Sequence, residues 1–145
     1  RAANLGGIRL WLDEAALPNT PPPLELDVEA RWPPGRYDAV FSANTLHIMG
    51  WPEVERLFAG LPAILAPDAK LAIYGPFNVG GRHTSEGNAS FDASLKAKSP
   101  HQGLRDVEAV NALARRAGLA LVEDRAMPAN NRCLVWRRPA TAAAG

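Results

Sequence analysis

Apolar residues recur along this chain at two spacings, and prolines, glycines and short polar runs mark where one spacing gives way to the other. In NLGGIRLWLDEAAL (4–17), Leu5, Ile8 and Leu12 fall at helical spacing. Gly6 and Gly7 weaken that helix by about 1 kcal/mol each relative to alanine. PNTPPP (18–23) stops it, and LELDV (24–28) alternates as a short strand does. EARWPPGR is a loop with two adjacent prolines. YDAVFSA (37–43) predicts a strand apolar enough to be covered on both faces.

The next helix is the clearest. Val54, Leu57, Phe58, Leu61, Ile64 and Leu65 lie on one stripe, Pro52 suits the first turn, and Pro62 should kink or shorten the end. PDAK predicts a turn into a second strong strand, KLAIYGPF (70–77). NVGGRHTSEGN (78–88) reads as a flexible loop, from which Ser85 caps a helix reaching about Lys98. After the linker SPHQGLR, Asp106 is expected to cap a helix with Val107, Val110, Leu113, Ala114 and Ala117 inward, ended by Gly118. Two strands, 119–127 and 131–138, are joined by PAN, a joint short enough to require an antiparallel pair. The tail PATAAAG (139–145) predicts disorder. Strands alternating with helices predict an α/β fold: a mainly parallel sheet closed by a terminal antiparallel hairpin.

Composition changes this picture little. The 145 residues suit one domain, 47% are apolar, and the formal charge is +1 with acids and bases mixed. That balance gives no electrostatic case for nucleic acid or an anionic membrane, and no apolar run is long enough to span a bilayer. The single cysteine, Cys133, excludes an intrachain disulfide and fits a reducing cytoplasm. The chain opens on Arg1 rather than Met, so a piece of a longer protein is expected. His47, His83, His101 and Cys133 show no metal-ligand spacing, and neither a P-loop nor G-x-G-x-x-G occurs.

Ligands of open parallel sheets bind beyond the carboxyl ends of strands. Three strands here end in polar or tight-turning residues: Asp27-Val28, SANTLH (42–47) and YGPFN (74–78). Each has a plainer reading. Asp27 caps a loop or meets a ligand; Asn44 serves a turn or a site; His47, between Leu46 and Ile48, is a satisfied half-buried histidine or a base. Ser85, Asn88 and Asp92 share a helix face that is either a cap with a solvated surface or a polar wall. In MPANNR a turn needs one amide, leaving the other of Asn130 and Asn131 for a substrate.

The blocks LDV, YDAVFSANTLHIMGW, LAIYGPFNVGGRHTSEGNASFDASLKAKSP, GLRDVEAVNALARRAGL and MPANNRCLVWRR together resemble the domain-of-unknown-function 938 family, methyltransferase-like proteins of the class I, S-adenosylmethionine (SAM) dependent kind. The resemblance covers residues 5 to 138. It implies a Rossmann-like sheet of order three, two, one, four, five, seven, six, and SAM as cofactor. It places Asp27 and Val28 by the adenine and Ser42, Ala43 and Asn44 by the methionine end. His47 would border the methyl-transfer pocket, and Tyr74, Phe77, Asn78, Asn88, Asp92, Asn130 and Asn131 would form the acceptor side; no metal is implied.

The family's opening strand, its glycine-rich loop and the second, acid-ended strand have no counterpart here, so residues 1–138 are expected to be a partial domain. Two functions compete. One is the C-terminal part of a SAM-dependent methyltransferase with an unidentified acceptor. The other is a non-catalytic module that self-associates or pairs through the bared edge at Tyr37–Phe41.

Overall fold

A computed structural model describes residues 2–140. The expected disorder at 141–145 lies outside the described residues. The chain divides into two compact units, residues 1–33 and 34–145.

The first unit holds one helix, α1 (Leu5–Ala15), entered by a 3-10 turn at Ala2–Asn4. Ala16, in the left-handed region, ends it by donating its N–H to Leu12 O at 3.0 Å. No residue of α1 is buried. The expected strand at 24–28 does not form. Asp27 instead closes a turn, its Oδ1 accepting the Glu29 N–H at 2.9 Å and its carbonyl the Ala30 N–H at 3.1 Å. Alternation alone does not make a strand: unpaired, the backbone donors of LELDV have no ladder to join, and a local Asx turn offers the carboxylate an immediate partner.

The second unit is a sheet of β1 (Tyr37–Ala43), β2 (Leu65–Asn78), β5 (Asn131–Arg137) and β4 (Ala120–Met127), in that order across the sheet. A two-residue strand, β3 (Arg105–Asp106), adds to the end of β2 beside Phe77 and Asn78. β1 runs parallel to β2, and β5 is antiparallel to both β2 and β4. This is the predicted mainly parallel sheet with its antiparallel hairpin. The hairpin turn uses Ala129 and Asn130 in the left-handed region.

β2 begins earlier than expected. Leu65 already pairs with Tyr37, and a bulge follows with Asp68 at φ +63° before Lys70 pairs with Ala39. The PDAK turn therefore survives inside the strand. α2 (Trp51–Ile64) stops two residues after Pro62. Proline cannot donate to the preceding turn, and the helix's last carbonyls find other donors: Arg36 Nη1 reaches Pro62 O and Leu65 O at 3.0 Å each, and Arg138 Nη1 bonds the same two oxygens.

One face of the sheet carries the core. Leu71 and Ile73 of β2 lie opposite Trp136 and Leu134 of β5, all buried. Buried residues of α2 and of α4 (Val107–Arg116) complete this core. Trp136 meets Phe58 edge to face at 6.1 Å and donates its indole N–H to Asn111 Oδ1 at 3.0 Å. Gly118 ends α4 at φ +77°, as predicted. The other face is open at β1: Phe41 is 69% and Tyr37 40% exposed. The expectation that β1 is covered on both faces is corrected by its largely exposed side chains; it is also an edge strand, paired on one side only among the described residues.

Phe58→Ala should cost about 3–5 kcal/mol, because a fully buried ring leaves a cavity between α2 and Trp136. Urea unfolding followed by tryptophan fluorescence measures it, and a loss under about 1 kcal/mol would show that the core does not rest on this contact.

Candidate functional site

The two parallel strands end side by side, with Ala43 opposite Tyr74. Beyond them the chain turns at Asn44, whose φ of +55° asparagine tolerates better than most residues. Its N–H donates to Tyr74 O at 2.9 Å, but its side chain is bonded to no described residue and is exposed. Ser42 Oγ donates to Thr45 Oγ1 at 2.9 Å, and Thr45 Oγ1 to Ala43 O at 3.0 Å, tightening the same turn.

His47 follows one turn later and is 6% exposed. Its ring stands edge-on to Phe91 of α3 (Glu86–Lys98) at 5.3 Å. Gly75 forms the floor between it and Asn44: a Cβ there would lie 3.6 Å from Asn44 Oδ1 and 3.8 Å from His47 Nδ1. Among the described residues no group hydrogen-bonds either ring nitrogen. Burial, and secondarily the charge of Arg105, push the His47 pKa below its ordinary value. The imidazole is therefore neutral at neutral pH.

What holds this loop is a clasp from residues 102–105. The carbonyls of Leu46, His47, Ile48 and Met49 accept, in order, from Arg105 Nε at 3.3 Å, Gly103 N at 3.0 Å, Gln102 Nε2 at 3.2 Å and Arg105 Nη2. Arg105 Nη2 also donates to His101 O at 2.8 Å, and its guanidinium lies 5.9 Å from the centre of the Trp51 ring.

α3 fixes the clasp from behind. Ser85 caps it as predicted, its Oγ accepting the Asn88 N–H at 3.0 Å. Asp92, 3% exposed, accepts the Leu104 N–H at 2.8 Å, Lys96 Nζ at 2.6 Å and bonds His83 Nε2 at 3.0 Å. Burial alone would raise the Asp92 pKa; the bonds from Lys96, Leu104 and His83 outweigh it and hold the carboxyl below its ordinary value. Gly103 is needed at its turn on two grounds: φ is +151°, and a Cβ would sit 2.9 Å from Asp92 Oδ1.

The remaining expected residues divide between wall, turn and core. Asn88 Nδ2 donates to Thr84 Oγ1 at 3.0 Å and to Asn130 O at 3.1 Å, joining α3 to the hairpin turn. Asn131 Nδ2 bonds Pro128 O at 3.1 Å within that turn. Tyr74 is half-buried, while Phe77 is 2% exposed in the core. Asn78 and Asp106 are register partners, and each has a buried Oδ1 without a partner among the described residues. Asp106 occupies the cap position of α4, but its side chain makes no capping bond, a correction to the expected cap. Asp27 and Val28 belong to the first unit. Sequence reasoning missed Gly103 and Arg105 and gave Gly75 no role of its own within YGPFN. SPHQGLR read as a linker, and no periodic signal marks an arginine spent on backbone carbonyls.

No described helix is long and apolar enough to cross a membrane. Among the described residues no cluster of His, Cys, Asp or Glu suits a metal ion.

This chain belongs to the family described as Protein of unknown function (DUF938), whose model matches residues 1–138. Its fold is similar to solved methyltransferases. One is the mitomycin 7-O-methyltransferase MmcR (TM-score 0.80, 18% identity, covering 95% of this chain and 40% of that one). Another is the S-adenosylmethionine-dependent methyltransferase SibL in its apo form (0.79, 21%, 96% and 42%). A third is human N-acetylserotonin methyltransferase in complex with SAM (0.69, 14%, 80% and 33%). The chain thus has a class I methyltransferase-like, Rossmann-like fold and spans 33% to 42% of the length of these three proteins.

Asp92→Asn should destabilise the fold by about 1.5–3 kcal/mol at pH 7, through lost charge-assisted bonds. The folded pKa is depressed, so the carboxylate's contribution is full above the unfolded value of about 3.9 and is lost as pH falls through the folded one. Denaturation at a series of pH values should show parent and variant converging only below about pH 4; a constant difference would contradict the carboxylate's role.

Proposed function

We propose that this chain is the C-terminal portion of a SAM-dependent methyltransferase that acts on an N, O or C nucleophile. The observation that carries the reading is His47: a buried imidazole at the ends of two parallel strands, in a methyltransferase-like fold, with both ring nitrogens unclaimed among the described residues. Such a group is neutral at neutral pH and able to take a proton.

The residues present suit the methionine end of SAM. Ala43 and Asn44 are exposed at the strand end, and the unbonded Asn44 amide offers an acceptor and two donors beside Gly75. SAM, when bound, supplies a methyl group on a positively charged sulfur. His47 receives the proton that a hydroxyl or amine acceptor sheds as it attacks. Tyr74, Phe77, Asn78, Asn88, Asp92, Asn130 and Asn131 border the acceptor side. Asn88 and Asp92 shape it by fixing the hairpin turn and the 103–104 turn, while Phe77 backs it from the core. The protein's contribution is alignment and exclusion of water.

In the complete enzyme, Asn44→Ala should weaken SAM binding by about 1–3 kcal/mol. His47→Ala should lower turnover far more than SAM affinity. Calorimetry and single-turnover assays measure the two, and variants that bind and turn over like the parent would sink the assignment.

The exposed edge of β1 favours a second reading, an interaction module. Tyr37 and Phe41 are exposed there, and Asp38 is the only charge on the strand. On this reading the purified chain self-associates with rising concentration, Phe41→Lys reduces the association, and titration with SAM shows no micromolar binding. Light scattering and calorimetry decide it: a monomer at all concentrations would end the second reading.

A further inference from the structure

We infer that Arg105 is the positioning residue for His47, its planar guanidinium fixing the loop from which the imidazole projects. This rests on His47 as the proton acceptor and says what aims it. Arg105 stands on the short strand β3, beside Phe77 near the end of β2, and is partly buried. It is bonded to no carboxylate among the described residues; Asp92 and Glu53 act on it only through space. Its donors go to the carbonyls of Leu46, Met49 and His101. Leu46 and Met49 bracket His47, so one rigid fork spans the turn that carries the imidazole. The His47 carbonyl is itself held by Gly103, and Gly103 adjoins Leu104, whose N–H is anchored by Asp92.

The ring has no hydrogen bond of its own among the described residues. Its direction is therefore set by its backbone and by the edge contact with Phe91. Backbone position is what Arg105 controls. A lysine keeps the positive charge but has no plane with which to hold two carbonyls in fixed relation.

Of the charged groups near the ring, Arg105 acts on it directly, Asp92 and Glu53 act on Arg105, and Lys96 and His83 pair with Asp92. Among the described residues, Arg105 alone bonds the carbonyls on both sides of His47.

The test is an NMR titration of the His47 imidazole in this chain and in Arg105→Lys, with the Trp136 indole N–H as an indicator that the fold is intact. The parent ring should titrate below the ordinary histidine value of about 6.5. In Arg105→Lys the midpoint should rise by about half a pH unit or more as the ring gains solvent, and the ring signals should broaden, with the Trp136 signal unmoved. An unchanged midpoint and unchanged ring signals would overturn the proposal, because charge without the fork would then suffice. If the variant fails to fold, the parent decides. A slowly exchanging Arg105 Nε–H with cross-peaks to residues 46–49 is expected, and a rapidly averaging guanidinium would overturn it. Neither readout involves methyl transfer, so a failed base assignment and a failed positioning role are separately visible.

Discussion

Four successive carbonyls at the end of a strand must find donors, and here nearly everything near the site follows from where those donors come from. The peptide groups of Leu46 to Met49 lie past the sheet's ladder and before α2, where neither structure can satisfy them. Residues 102–105 supply all four. Segments more than fifty residues apart in sequence thereby become one layer, with the buried imidazole in the loop they hold.

That solution places demands elsewhere. Gly103 is held to glycine by its φ and by Asp92 pressing against it, and the bonds from Lys96, Leu104 and His83 favour the ionised Asp92 carboxylate. Lys96 and His83 then offset the carboxylate's burial. α3 is positioned by two polar contacts on its buried face, Asn88 toward the hairpin turn and Asp92 toward the clasp. The apolar core around Leu71, Ile73 and Leu134 is served by α2, α4 and Trp136. Packing thus fixes the sheet and polar bonding fixes the strand ends, a division that lets surface chemistry vary while the core stays the same.

The sequence announced what periodicity can announce. The stripe of α2 with Val54, Phe58 and Leu61, the Ser85 cap, Gly118 and the joint at PAN all report local preferences that tertiary structure left standing. LELDV misled because alternation describes a half-covered strand only where a neighbour exists. YDAVFSA misled in the opposite sense: its apolar character is real, but as an edge strand it stays open. Asn44 and His47 could be picked out as polar groups at a strand end. Arg105 could not, since an arginine bonded to carbonyls leaves no charge partner to look for. Asp92 was legible as a polar residue on a helix face but not as an anchor, because its partners at 83 and 104 lie outside the helix.

The position of β5 has a consequence for synthesis. This strand, residues 131–137, lies between β2 and β4, so both earlier strands wait for it. While those residues are still inside the ribosome, β2 can pair with β1 but has an empty side, and β4 has no partner at all. The guanidinium of Arg138 that helps close α2 arrives later still. The nascent unit therefore completes its sheet only after release of its last strand, and until then it exposes apolar ladder edges that invite chaperone capture.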